Sequence, residues 1–317
     1  MSAPRILIVG ANGQIGSELT EALVARHGAH AVVTSDLWSP GRVSGLVHEA
    51  FDVTDAAALA AAVSRHGITQ IYNLAAVLSA SGEEYPTRTW SVNMGGLLNV
   101  LELARVQQLE RVFWPSSIAV FGPGTPAEQT PQSTVTNPTT VYGISKLAGE
   151  RWCAWYHAKH GVDVRSLRYP GLISWKTPPG GGTTDYAVEI FHAALTDGAY
   201  SCFLEAEQEL PMMYMPDALR ATIELMETPP KNITERGSYN LSGLSFTPRE
   251  IAAAIGRRIE GFTMTCAPDF RQAIAASWPR SIDDSVARRD WGWQPQFDLS
   301  AMVDDMLDNL RQTVPGK

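Results

Sequence analysis

The run I-L-I-V-G-A-N-G-Q-I-G, beginning at Ile6, constrains this chain more than any other feature because it joins an apolar strand directly to a helical pattern. Gly10, Gly13 and Gly16 punctuate the junction at three-residue spacing. Glycine lets the backbone turn tightly and lets a pyrophosphate approach the amides at the positive end of the following helix. Such a turn opens a β-α unit, and repeated β-α units build a parallel sheet. The repetition is present. Ile15, Leu19, Leu23 and Val24 recur at helical spacing up to Arg26. Further strands are predicted at Ala31–Thr34, ending by Asp36, then at Gln70–Leu74, Arg111–Trp114 and Asp163–Leu167, with helices at Asp55–Arg65, about Tyr85–Val106, and through Tyr142 to His160. The fold class is α/β, a doubly wound parallel sheet of the Rossmann type.

Beyond Tyr169 the pattern loosens into shorter elements, including helices at about Thr184–Leu195, Pro216–Met226 and Leu299–Arg311. The expected organisation is a dinucleotide-binding domain over 1–172, joined by part of 213–240, and a smaller, mostly helical substrate-binding cap from 173–212 and 241–317. Two breaker-rich loops, 122–138 and 177–182, are placed to cover a site. Over 317 residues the net charge is -8, which disfavours nucleic acid and anionic membrane as partners. Cys153, Cys202 and Cys266 are odd in number and widely spaced, as suits a reducing cytoplasmic compartment rather than a disulfide framework. No leader pattern and no membrane-length apolar run is read in the chain. His157 and His160 share a helix without a third ligand, so no metal is expected.

Asp36 follows Gly16 by 20 residues at the end of the second strand, the place of a ribose ligand. A carboxylate there accepts from a 2′-hydroxyl and repels a 2′-phosphate, which favours NAD over NADP; Arg42 is the nearest residue that argues otherwise. Asp52 has two readings, a contact to adenine or a cap for the helix near Asp55. Leu74, Ala75 and Ala76 end their strand with small side chains where the backbone would pass the cofactor. Tyr142 and Lys146, in V-Y-G-I-S-K, stand one helical turn apart, so the ammonium is expected beside the phenol, favouring its phenolate. Lowering a tyrosine by two units is worth about 2.7 kcal/mol, which a partly buried charge can supply and a solvated one cannot. That pair turns a nucleotide-binding fold into an oxidoreductase. Serines at the carboxyl end of the strand 111–114 would emerge where doubly wound sheets bind ligands. The glycines and threonines of Gly180 to Asp185 offer amides and hydroxyls to a substrate carboxylate, or alternatively an N-cap.

G-A-N-G-Q-I-G, N-L-A-A, P-S-S-I-A-V-F-G, Y-G-I-S-K, Y-P-G-L-I and D-W-G-W-Q-P occur here in the order seen in the extended short-chain dehydrogenase/reductases, and the chain resembles that family over nearly its whole length. L-S-A-S-G-E (78–83), G-G-T-T-D-Y-A-V-E-I (181–190) and M-Y-M-P-D-A (213–218) resemble, more narrowly, its L-threonine 3-dehydrogenases. The resemblance implies NAD-dependent oxidation of the β-hydroxyl of L-threonine to 2-amino-3-ketobutyrate, a step of threonine catabolism. It implies Tyr142 as base, Lys146 as its partner and ribose ligand, and Ser117, with Ser116 as runner-up, bonding the reacting hydroxyl. Ser79, Ser81, Gly182, Thr183 and Thr184 are the expected substrate contacts. Gln14, Ile15, Val53, Asn93, Tyr169 and Leu172 complete the expected cofactor set. A homodimer through the helices near 85–106 and 141–160 is expected. The competing reading is a nucleoside-diphosphate-sugar epimerase or dehydratase on the same sheet, kept open by Arg271 and Arg280; a non-catalytic cofactor-binding regulator is disfavoured by the intact Ser117, Tyr142 and Lys146.

Overall fold

The computed structural model describes residues 3–178, 180 and 182–313, and all of their side chains except those of Ala80 and Ser81. Strands β1 (Ile6–Val9), β2 (Val32–Asp36), β3 (Val47–Ala50), β4 (Gln70–Asn73) and β5 (Arg111–Phe113) are followed by the short β6 (Ser116–Ser117) and by β7 (Val164–Arg165). Six of them form one parallel sheet in the order β3-β2-β1-β4-β5-β7. Parallel neighbours need crossovers, and helices α1 (Gln14–His27), α2 (Ala56–His66), α3 (Ser79–Glu84), α4 (Pro86–Gln107) and α5 (Val141–His160) lie between the strands. Strand order reverses between β1 and β4, so a crevice opens at their carboxyl ends.

β1 reads as a continuous apolar run because both of its faces are covered. Ile6 and Ile8 pack with Leu19 and Leu23 of α1, whereas Leu7 and Val9 pack with Leu59 of α2 and Leu97 of α4. The edge strand β3 carries no such signal. Its sequence V-H-E-A is half-exposed and paired on one side, which asks for no apolar alternation.

The strand expected over 163–167 divides at Ser166. β7 stays in the main sheet, while β8 (Leu167–Tyr169) lies between β6 and a later strand, β12 (Tyr239–Asn240), in a separate three-stranded sheet. The register opposes Ser116 to Arg168 and Ser117 to Tyr169. The remaining strands are β9 (Gly171–Ile173), β10 (Ala199–Cys202), β11 (Leu210–Tyr214), β13 (Leu244–Phe246) and β14 (Thr263–Cys266). They pair as β13-β11-β9 and β10-β14. These small sheets interleave with the helices that make up most of the regular structure there, α6 (Tyr186–Thr196), α8 (Pro248–Gly256), α9 (Arg271–Ala276) and α11 (Leu299–Thr313).

Between β11 and β12, α7 (Met215–Glu227) packs on α1 and joins the apolar cluster of Ile6 and Ile8. Ala287 of α10 (Ser285–Trp291) and Trp293 enter the same cluster. The apolar periodicity of a short helix says that it is buried, not against which core. Among the described residues no helix is long and apolar enough to cross a membrane.

Candidate active site

Two adjoining clefts, of about 430 Å³ and 170 Å³, share Leu74 and Ala76 as their common wall. The larger lies over the glycine turn. Gly10 has φ +83°, and a Cβ there would stand 2.7 Å from the Ala75 nitrogen, so only glycine fits between the turn and the end of β4. Gly13 occupies the N-cap of α1 without a side-chain cap, and no acidic residue follows in the first turn. The uncapped helix start is thereby left to an anion. Gly16 does not line the cleft. A Cβ on it would meet the Gly10 carbonyl oxygen at 2.2 Å, so its role is close packing of helix on turn.

Asp36 lines this cleft and accepts the Asn12 and Leu37 N–H groups at 2.9 and 2.8 Å, which hold its carboxylate at the mouth of the turn. Asp52 lines it too. Its carboxylate accepts the Thr54 N–H and hydroxyl, each at 2.8 Å, while the cap of α2 is Asp55, which accepts the Ala57 and Ala58 N–H groups. Of the two readings for Asp52, helix capping falls. Val53 and Ala75 complete this wall. Asn93 departs from expectation: its amide is spent on both backbone groups of Val77 (2.8 and 3.1 Å) and on Ser145 Oγ (3.2 Å), so it braces the wall from behind. Asn12, Trp38, Phe51 and Arg88 line the cleft unanticipated. Asn12 sits inside the glycine motif and was readable there; the others come from loops and a helix start that carry no local signature.

The smaller cleft gathers Gln14, Ile15, Ser79, Ser117, Tyr142, Lys146, Tyr169, Leu172 and Gly182 to Thr184. Helix α5 delivers the central pair. Thr140 caps it by accepting the Gly143 N–H at 3.0 Å, and a Cβ on Gly143 would stand 2.2 Å from the Ala119 carbonyl oxygen, so the helix presses directly on the segment after Ser117. The pair is not arranged as expected. Lys146 donates from Nζ to the Pro115 carbonyl at 2.6 Å and lies over the Trp114 ring, with its nitrogen 5.4 Å from the Tyr142 ring centre. Burial pushes the Tyr142 phenol up to about 12, with the Ser117 hydroxyl pulling the other way. Burial likewise draws Lys146 down to about 7, against smaller opposing effects of Cys153 and Glu150. Desolvation penalises each charged form and is the largest cause of both shifts.

The two serines separate cleanly. Ser116 is buried and donates to Glu150 at 2.6 Å, whereas the half-buried Ser117 is the one that interacts with the phenol. The Tyr169 hydroxyl bonds that of Thr222 and leaves its ring to line the pocket. Thr184 packs where a Cβ on Gly171 would stand, at 2.7 Å, and Asp185 accepts the Gly182 N–H at 2.7 Å, so that amide is engaged within the segment. Gly181 and the Ser81 side chain lie outside the described residues. Ser79 opens the short helix α3. Trp278, from beyond α9, closes the pocket from the cap side, and nothing local to its sequence marks it. Among the described residues no cluster of three metal-ligating side chains occurs.

The NAD dependent epimerase/dehydratase family model matches residues 6–242. The chain belongs to this family. Within it, the chain is similar to a GalE-like L-threonine dehydrogenase from Cupriavidus necator, solved in its holo form: 67% identity, 97% of this chain and 100% of that one covered, TM-score 0.96. An L-threonine dehydrogenase from Phytophthora infestans is 50% identical over 98% and 100% of the two chains, with TM-score 0.95. A monomeric L-threonine 3-dehydrogenase from a metagenome is 47% identical over 97% and 99%, with TM-score 0.94.

Proposed function

We propose that the chain is an NAD-dependent L-threonine 3-dehydrogenase that oxidises the β-hydroxyl to give 2-amino-3-ketobutyrate. The observation that carries this reading is the lining of the smaller cleft, which joins Ser117, Tyr142 and Lys146 to Gly182, Thr183 and Thr184 and contains no other basic side chain. A sugar-nucleotide diphosphate asks for cationic partners. Arg271 and Arg280, which kept the epimerase alternative open, pair with Asp269 and Glu128 and line neither cleft. The 170 Å³ volume suits a small amino acid.

In this reading Ser117 donates to the substrate hydroxyl oxygen and Tyr142 takes its proton. Lys146 leaves Pro115 for the ribose hydroxyls and the neighbourhood of the phenol. Asp36 holds the adenosine ribose, and the start of α1 holds the pyrophosphate. An oxidised nicotinamide, when bound, supplies positive charge beside the phenol and the carbon that accepts hydride. A phenol at about 12 is a poor base, so the loaded pocket must supply most of its activation. The test is NADH formation with L-threonine set against UDP-sugars. Epimerisation of a UDP-sugar without threonine oxidation would overturn the reading.

A cytoplasmic enzyme of threonine catabolism is consistent with three free cysteines. A homodimer is proposed through α4 and α5, whose Trp90, Trp152 and Trp155 are 45%, 39% and 44% exposed. Since one similar enzyme is described as monomeric, the mass in solution decides, and a monomer at micromolar concentration would refute it.

A further inference from the structure

We propose that the buried pair Glu150–Arg168, bonded by Ser116, positions the catalytic group: it sets where Ser117 points and holds a negative charge one helical turn behind Lys146. The inference rests on the dehydrogenase reading above. Arg168 donates through Nε and Nη2 to the two oxygens of Glu150, each at 2.8 Å, and Ser116 donates to Oε1 at 2.6 Å. Both members of the pair are buried. The second amino group of Arg168 reaches the Gln132 carbonyl at 3.0 Å and Asn240 Oδ1 at 2.9 Å, so the loop 122–138 and β12 are tied into the same network.

Each end of this network abuts a reacting residue. Ser116 immediately precedes Ser117, and the β6-β8 register places Arg168 beside Ser116 and Tyr169 beside Ser117. With Ser116 anchored to Glu150, strand alternation turns the next hydroxyl to the opposite side, toward Tyr142. On α5, Tyr142, Lys146 and Glu150 follow at i, i+4 and i+8, one ladder on one face. A buried ion pair of purely structural purpose is replaceable by apolar residues of similar volume. This one is joined through hydrogen bonds and helix spacing to both halves of the chemistry.

The groups facing Lys146 are Tyr142, Glu150 and Cys153 from its own helix, and the Trp114 ring and Pro115 carbonyl from beyond β5; Tyr169 of β8 lines the same pocket. Glu150 faces Ser116 and Arg168, and Glu235 feels both members of the pair. Burial holds the Cys153 thiol well above its usual range, so it stays neutral through the working pH. Removing the Glu150 charge while Arg168 remains makes the surroundings of Lys146 and Tyr142 more positive. Both then lose protons more readily.

The experiment is the pH dependence of kcat for threonine oxidation in the holoenzyme. In Glu150→Gln the rising limb is expected to move to lower pH by about one unit. Glu150→Asp, which keeps the charge, should leave the limb in place while lowering kcat. Ser116→Ala keeps the ion pair but frees the strand end, and should lower kcat about two- to tenfold with the KM for NAD unchanged. An unmoved limb in a folded Glu150→Gln protein overturns the proposal. If that variant does not fold, wild-type kcat in Ser116→Ala overturns it instead. An unmodified enzyme that oxidises no threonine sinks the functional reading and this inference together, whereas an active enzyme with an unmoved limb sinks this inference alone.

Discussion

Replacing Lys146 with methionine should stabilise the cofactor-free protein even as it ends turnover. The side chain is 2% exposed, and burial lowers its pKa from 10.5 to about 7. At neutral pH, keeping that group in its pocket therefore costs on the order of 4 kcal/mol relative to an unfolded chain. The hydrogen bond to Pro115 and the Trp114 face are contacts of the amine that the variant gives up. Methionine has nearly the same length, carries no charge and fills irregular space well. The variant should therefore gain stability near pH 7, by an amount bounded above by that penalty. Its pH dependence has a definite sign: because the folded value lies below the unfolded one, the penalty is fully present below about pH 7 and fades as pH rises toward 10.5. The advantage of the variant should be widest at about pH 6.5 and shrink by about pH 9.5. Urea unfolding of both proteins at the two pH values measures this, and NADH absorbance measures the lost activity. A variant less stable than the parent at the lower pH, or a difference that ignores pH, would refute the reasoning.

Tyr142→Phe should lower kcat by at least about a hundredfold while leaving NADH binding, read by fluorescence, close to that of the parent, since only the ionisable oxygen is lost. Comparable turnover across the pH range would remove Tyr142 from the chemistry. NAD should be preferred over NADP in kcat/KM, and Asp36→Gly should narrow the gap; equal use of both cofactors by the unmodified enzyme contradicts the ribose assignment. Thr184→Ala should lower kcat/KM for threonine roughly two- to tenfold, the worth of one neutral hydrogen bond, with NAD affinity unchanged. An unaltered kcat/KM would place Thr184 outside the substrate site.

Much of the nucleotide-binding half was legible because its signals are local. The apolar run of β1, the glycines that follow and the helical spacing of α1 are contiguous, and each needs only its own neighbours to be read. Edges and breaks were harder. β3 is paired on one side only and need not be apolar, and the division at Ser166 depends on which partner strand lies alongside. Of the expected cofactor contacts, Gly16 and Asn93 line neither cleft and pack behind it, a distinction invisible to spacing.

By itself, then, the sequence determined the β-α repetition, the glycine turn, the acidic residue that ends β2 and the one-turn spacing of Tyr142 and Lys146. The tertiary structure alone decided that Ser116 turns inward to Glu150 and Ser117 outward to the phenol, that Lys146 docks on Pro115, and that Trp278 closes the pocket. It also decided that burial pushes the phenol up rather than down. The physical reason is the range of the forces. Backbone propensity and side-chain periodicity act over a few residues, whereas strand register and desolvation are set by segments that meet only when the chain has closed upon itself.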